Sequence, residues 1–394
     1  MEKKSFFEGN FGKYLLPGVV LQSVLIGGGY ATGREIVEYG AKFGAMGWLA
    51  GIGTFIGFAL VAILSFELIR LYKAYDYKSF IKEIAGPLWV VFDVVYILFM
   101  IVIIAVMASA TGSIVEQTLG LNYWMGVVGI IVVVGVLNFY GEHLIERFET
   151  FGTIALYVGY IIFAVLVISA NYDNMGTVFA TRDTSYVSDA SIPTIIWTGI
   201  LYCAYNLVVV PASFFTLKRQ TKRKEAVISG LIAGVLMTIP WFLTYFAVMC
   251  YYPNESVLGA SVPWLAMMQG VAGPVVISLF GIVMGWTLIE TSTGIIHALI
   301  ERVNNGLSDM GKKRMTRPQQ AVVTFVVLIG AMIFSKIGII DLIAKFYNAL
   351  AYAFIAIYLL PLLTVGVYKI IKKSKEETEK TEKTTSASAK AIAP

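Results

Sequence analysis

Long apolar runs, separated by short polar or charged connections, dominate the sequence. About 20 apolar residues make an α-helix that crosses the hydrocarbon core of a bilayer, where every backbone N–H and C=O must be bonded within its own segment. On that rule the 394 residues predict ten spans, at 12–41, 45–72, 87–118, 122–141, 146–170, 192–217, 224–251, 270–303, 319–337 and 340–370. The composition, 58% hydrophobic and 14% charged, lies far outside the balance of a soluble domain. The expected fold class is an all-α integral membrane protein. The basic start, Met1 to Ser5, precedes an apolar run without a small-residue cleavage site, so it reads as leading into a retained helix rather than a signal peptide.

An even number of spans places both termini on one side, and charge indicates which. Lys and Arg collect in cytoplasmic loops. With the N-terminus inside, Arg70, Lys73, Lys78, Lys82, the cluster from Lys218 to Lys224 and the cluster from Lys312 to Arg317 all fall inside. The outer loops hold only Lys42, Arg182 and Lys336 against Asp173, Asp183, Asp189 and Glu255. The chain is therefore expected in the cell (plasma) membrane with both termini cytoplasmic. The net charge of +5 speaks to orientation and to contact with membrane lipids, not to nucleic acid. Two cysteines, Cys203 and Cys250, give neither a disulfide framework nor a metal cluster.

Span 1 carries an interruption, from Ile26 through Gly27, Gly28, Gly29 and Tyr30 to Gly33, Arg34 and Glu35. Three glycines remove the side chains that favour helix, and unpaired backbone at membrane depth persists only where protein, water or a ligand satisfies it. The same glycines also suit close helix packing. Span 6 has its own irregularity, from Thr198 through Tyr202, Tyr205 and Asn206 to Pro211, and proline removes a backbone donor. An odd number of spans per half reverses the second half, so breaks in spans 1 and 6 occupy equivalent places of an inverted repeat, a pointer to a midplane site in secondary transporters. The chain divides accordingly into an N-terminus (1–11), a first five-helix repeat (12–170), an extracellular loop (171–191) ordered only by packing on the membrane domain, a second repeat (192–370) and a polar tail (371–394) expected to be disordered.

Polar residues at membrane depth supply the chemistry. Span 8 carries Glu290, Thr291, Ser292 and Thr293 within an apolar helix. Hydroxyls joined to carbonyls freed by a broken helix are hard-oxygen ligands that suit Na⁺, although Ser and Thr also bond their own helix carbonyls. Glu290 is a proton-coupling candidate, because a carboxylate in the bilayer must pair, bind a cation or be protonated. Arg34, Glu35 and Asp341 are gate candidates near the outer side. Arg34 is expected to pair with Asp341, with Glu35 or Glu38 as local alternatives. Gly27, Gly28, Gly29, Tyr30, Tyr202, Tyr205 and Asn206 are the substrate-binding candidates because they form or flank the two breaks.

Ten spans as two inverted five-span halves, with spans 1 and 6 broken at the midplane, resemble the LeuT fold of the amino acid, polyamine and organocation superfamily. The run from Gly27 to Glu38 resembles the YkvI-like membrane proteins, and the likeness covers about residues 10–370. In sodium-coupled relatives a cation sits between span 1 carbonyls and a Thr-Ser pair of span 8. Here that implies carbonyls from Val24 to Gly27 with the hydroxyls of Thr291 and Ser292, or of Ser292 and Thr293. Some proton-coupled relatives place a span 5 lysine there, and residues 151–168 have none. Arg34 matches a gate arginine, with Asp341 as its implied partner. The asparagine of a second sodium site falls here on Ala31, and Glu290 has no counterpart in the sodium pattern.

The expected function is a secondary active transporter that moves a small organic solute, an amino acid or related amine, by alternating access coupled to Na⁺, with no other cofactor. The alternatives are a proton-coupled transporter or exchanger using Glu290, and a nutrient receptor with a transporter fold. An enzyme is not expected, since His143 and His297 lie far apart with no clustered ligands. The unit is expected to work as a monomer or a dimer.

Overall fold

The computed structural model describes residues 9–140 and 158–376. Seven helices are long and apolar enough to cross a bilayer, and they fall on spans 2, 3, 6, 7, 8, 9 and 10: Trp48–Tyr72, Tyr77–Leu119, Ile192–Arg219, Arg223–Met249, Pro274–Asp309, Arg317–Ser335 and Ile339–Glu376. Val158–Ala170 and Tyr172–Thr181 qualify together as an eighth, bent by 70°. Shorter apolar helices, Phe11–Leu25 and Tyr123–Phe139, lie on spans 1 and 4. The first part of span 5 (146–157), His143 and the extreme termini (1–8 and 377–394) lie outside the described residues. No strand occurs among the described residues.

Local sequence explains where these helices start and stop. Proline occupies the first turn of Ile192–Tyr205, Pro274–Asp309 and Arg317–Ser335, where its missing N–H costs nothing. Arg223–Met249 starts with Glu225, whose carboxylate accepts from the Thr221 and Lys222 backbone N–H groups at 2.7 and 3.0 Å. Trp89–Leu119 stops at Gly120, in the left-handed region at φ 65°. Two stretches are more helical than expected. The extracellular loop contains Tyr172–Thr181, held by Asn174 Nδ2 donating to the Cys250 and Tyr252 carbonyls at 3.2 and 3.1 Å. Span 10 runs on to Glu376, past the expected tail boundary at 371.

Spans 2 and 7, which hold equivalent places in the two halves, pack backbone to backbone. A Cβ on Gly230 would come 2.6 Å from the Ile63 nitrogen, so the lack of a side chain sets the approach. The bundle's two ends differ in charge. At the basic end Lys13 pairs with Glu225 at 2.9 Å, Gln220 Nε2 donates to the Lys13 carbonyl at 2.9 Å, Tyr72 donates to the Lys369 carbonyl at 3.4 Å, and Lys369 pairs with Glu83 at 2.6 Å. The opposite end carries the Lys42–Glu38 and Lys345–Asp341 pairs at 2.6 and 3.1 Å.

Candidate substrate and ion site

The interruption in span 1 is shorter than the glycine run suggests. Helix Leu16–Leu25 ends at Ile26 (φ −77°, ψ 38°), Gly27 is extended (φ −103°, ψ 171°), and Gly28–Thr32 is already helical. A second hinge follows at Gly33, with φ 83°, before Arg34–Tyr39. Thr32 braces that hinge, its hydroxyl donating to the Gly29 carbonyl at 2.6 Å and accepting from the Arg34 N–H at 3.2 Å. At Gly27 the last carbonyls of one helix and the first N–H groups of the next lose their intrahelical partners. A Cβ there would lie 2.9 Å from Thr291 Oγ1, so the missing side chain lets the Thr291 hydroxyl reach the break.

Span 6 keeps its helix and changes its winding. Ile192–Tyr205 is α-helical, and Asn206–Arg219, which contains Pro211, is a 3₁₀ helix of 14 residues. Runs longer than three or four residues are uncommon in this winding, and such stretches mark hinges or strained sequence. Asn206 Nδ2 donates to the Tyr202 carbonyl at 2.9 Å across the junction. The expected break is thus a tightening of the helix, because the 3₁₀ turns and Asn206 satisfy backbone that an unwound stretch would expose.

The two irregularities face one cavity of about 330 Å³. Of the predicted residues, Val24, Gly27, Gly29, Glu35, Tyr205, Asn206, Glu290 and Thr291 line it. Ser23, Phe99, Met107 and Tyr347 line it as well, without having been expected. Tyr30, Arg34, Tyr202, Ser292, Thr293 and Asp341 are not in its wall, and Gly28 is described only as the first residue of the helix Gly28–Thr32. Tyr30 and Tyr202 are buried in core packing. Ser292 donates to the Met107 sulfur at 3.0 Å, and Thr293 donates to the Ile289 carbonyl of its own helix at 2.7 Å. The Arg34–Asp341 pair is not formed. Arg34 instead donates to the Leu258 carbonyl, to the Ala260 carbonyl at 3.3 Å and to Glu38 at 3.3 Å, while Asp341 pairs with Lys345. A local carboxylate and two loop carbonyls meet the guanidinium before a distant helix can.

Glu35, expected at a gate, stands in the cavity wall. It is 5% exposed and accepts from the Tyr205 hydroxyl at 2.5 Å. The turn at Gly33 folds residue 35 back beside Gly29, where a Cβ would lie 2.5 Å from Glu35 Oε1. The usable signal was the rule that an intramembrane carboxylate is functional by default.

Among the described residues, the cavity wall is exposed toward one end of the bundle and buried toward the other. Toward the basic end its wall is exposed at Ser23, Val24, Gly294 and Ala298. Toward the other end Glu35, Tyr205 and Tyr347 are buried under rings whose centroids lie 5.2 Å apart for Tyr39–Tyr205 and 4.8 Å for Tyr205–Tyr347. Tyr39 donates to Asn348 at 3.0 Å and ties span 1 to span 10. Beyond it, the segment after span 7 is latched by Arg34 and by Trp264, whose indole donates to the Tyr160 hydroxyl at 3.0 Å.

A helical membrane bundle with a hinged first span beside a rewound sixth, around a central cavity, is the LeuT fold. The chain superposes on a Na⁺-coupled sialic acid symporter with a TM-score of 0.60 at 16% identity, covering 92% of this chain and 82% of that one. It superposes on MhsT in complex with L-phenylalanine with a TM-score of 0.60 at 14% identity, covering 93% and 98%. For a manganese transporter of Eremococcus coleocola the TM-score is 0.58 at 12% identity, covering 92% and 80%. At such identities the likeness is one of fold, and these neighbours are transporters rather than enzymes. In sequence the chain is 23% identical over 232 residues to the uncharacterized membrane protein YkvI of Bacillus subtilis (strain 168). That match covers 56% of this chain and 62% of YkvI, so it spans about three fifths of that relative's length. No family model matches the chain.

Proposed function

We propose that the protein is a secondary active transporter that moves a small organic solute, an amino acid or related amine, by alternating access across the cell membrane. The observation that carries this reading is the cavity at the span 1 hinge, whose described wall is exposed toward the basic end of the bundle and buried toward the other. Opening the aromatic seal and closing the basic end would present the same residues to the opposite side, which is what alternating access requires. With the basic end cytoplasmic, this conformation faces inward.

Na⁺ is the preferred coupling ion. The extended backbone at Gly27 and the Thr291 hydroxyl beside it offer hard oxygen at one point, with Val24 on the preceding turn. Ser292 would join only by leaving the Met107 thioether, a weak acceptor. Among the described residues no group of three or more His, Cys, Asp or Glu side chains converges, which favours an organic cargo over a transition metal. A second reading, proton coupling, rests on Glu290, which lines the cavity next to Thr291.

The test is the thermal stability of the purified protein against amino acids and amines, each with Na⁺ or K⁺ at two pH values. A ligand specific to the folded state adds about 2.7 kcal/mol at one hundred times Kd. A shift that needs Na⁺ supports the reading. A shift sensitive to pH and indifferent to Na⁺ transfers the coupling role to Glu290, and no shift with any compound overturns the substrate class.

A further inference from the structure

We propose that the Glu35 carboxylate anchors the ammonium group of the transported solute, and that this solute is a cationic amine without a carboxylate of its own. The inference rests on the transporter reading and narrows it. Glu35 lies in the cavity wall, almost wholly buried, with one oxygen held by the Tyr205 hydroxyl and the other beside the bare backbone of Gly29. No cationic side chain among the described residues pairs with it. Its neighbour Arg34 projects from an adjacent helix position, toward the Leu258 and Ala260 carbonyls and Glu38 at the sealed end. A buried carboxylate in a membrane protein must pair, bind a cation or be protonated, and the space in front of this one, where a cation can reach it, is the cavity.

The rest of the wall agrees on the sign of the charge. Among the described residues it contains two carboxyl groups, Glu35 and Glu290, and no Lys, Arg or His. Arg302 lies outside it, over the Tyr77 and Tyr96 rings at 3.9 and 4.1 Å and paired with Asp93. A substrate carboxylate would therefore meet Glu35 and find no basic partner among the described residues. An ammonium group would meet Glu35 together with the rings of Phe99, Tyr205 and Tyr347, which pack at centroid distances of 5.1 Å for Phe99–Tyr347 and 4.8 Å for Tyr205–Tyr347. Aromatic faces attract a desolvated cation and discriminate against an anion.

The experiment uses the full-length protein in detergent and four probes of one shape: phenethylamine, 2-phenylethanol, 3-phenylpropionate and phenylalanine. Calorimetric titration should show the amine binding to the wild type and the neutral, anionic and zwitterionic analogues binding far more weakly. Glu35→Gln keeps the shape and the Tyr205 contact but removes the charge, and should weaken the amine by about ten- to hundredfold. Glu35→Asp should recover part of that loss, and Glu83→Gln, at the basic end and outside the cavity wall, should leave amine affinity within about threefold. An unliganded melting temperature of Glu35→Gln close to wild type confirms folding, and the Asp variant serves if it is not. The proposal is overturned if 3-phenylpropionate, phenylalanine or 2-phenylethanol binds as tightly as the amine, if the amine does not bind, or if Glu35→Gln leaves its affinity unchanged. Binding of phenylalanine or the carboxylate instead would sink the Glu35 assignment while leaving a solute-binding transporter in place.

Discussion

In span 1 the chain leaves helical geometry at one extended residue, Gly27, and turns again at Gly33, whereas in span 6 it tightens from α to 3₁₀ winding at Asn206 without leaving the helix. The first solution exposes backbone groups to the cavity, and the second satisfies them internally through Asn206 and its 3₁₀ turns. Under the proposed function, backbone contacts to an ion or solute would come from span 1, and span 6 would contribute side chains, chiefly Tyr205 and Asn206. Two hinges within seven residues also make span 1 the mobile partner. Its N-terminal half is tied down by Lys13 to Glu225 and Gln220 at the open end, and its C-terminal half by Arg34 at the sealed end.

The largest expected effect strikes the span 1 side of this contrast. Gly29→Leu puts a side chain where a Cβ alone would come 2.5 Å from Glu35 Oε1 and 3.0 Å from Ile343 Cδ1. It should abolish solute binding, removing the stabilisation of about 2.7 kcal/mol available at one hundred times Kd, while the folded protein still purifies. Retained binding in a titration would return this glycine to a packing role. Next comes Arg34→Ala, which deletes a buried guanidinium and leaves the Leu258 and Ala260 carbonyls without their donor. A loss of about 2 kcal/mol in stability is expected, seen as a lower melting temperature, together with faster thiol labelling of a cysteine placed at the buried Ile343 beside Gly29. Unchanged labelling would show that the seal rests on the tyrosine cluster alone. In span 6, Asn206→Leu removes one internal hydrogen bond and should cost about 1 kcal/mol, with weaker solute binding as a secondary effect. An effect larger than that of Arg34→Ala would reverse the contrast and make span 6 the strained element.

What was legible in the sequence follows the same division. The apolar runs announced their helices because length and hydropathy decide membrane crossing, and the glycine run and Pro211 marked where two helices could not be regular. The form of each irregularity depended on partners that the sequence does not display. Gly28 and Gly29 are helical because Thr32 braces the turn behind them, and span 6 stays wound because Asn206 reaches Tyr202. Arg34 was read as a gate residue paired with Asp341 or, locally, with Glu35 or Glu38; Glu38 is the carboxylate that pairs with it, and the carbonyls that also receive it belong to the connection between spans 7 and 8, where composition suggests no acceptor. Glu35 was read with its neighbour Arg34, but the left-handed turn at Gly33 sends the two side chains to different places.

The smallest effect separates the two hydroxyls of the ion reading. Thr291 stands at the extended Gly27, and Ser292 is turned to the Met107 sulfur. Ser292→Ala loses only a hydroxyl-to-thioether contact and should change unliganded stability by about 0.5 kcal/mol or less, since sulfur is a weak acceptor. Thr291→Val keeps the shape and removes the oxygen nearest the break. If the backbone of span 1 supplies the ion's main ligands and Thr291 closes the set, the concentration of Na⁺ needed for half-maximal stabilisation should rise several-fold in Thr291→Val and hardly move in Ser292→Ala. The opposite order would mean that Ser292 leaves Met107 when the ion binds, so that span 8 turns by one residue toward span 1 during the cycle. Equal and negligible effects would remove Na⁺ from this place and leave Glu290 as the coupling group on span 8.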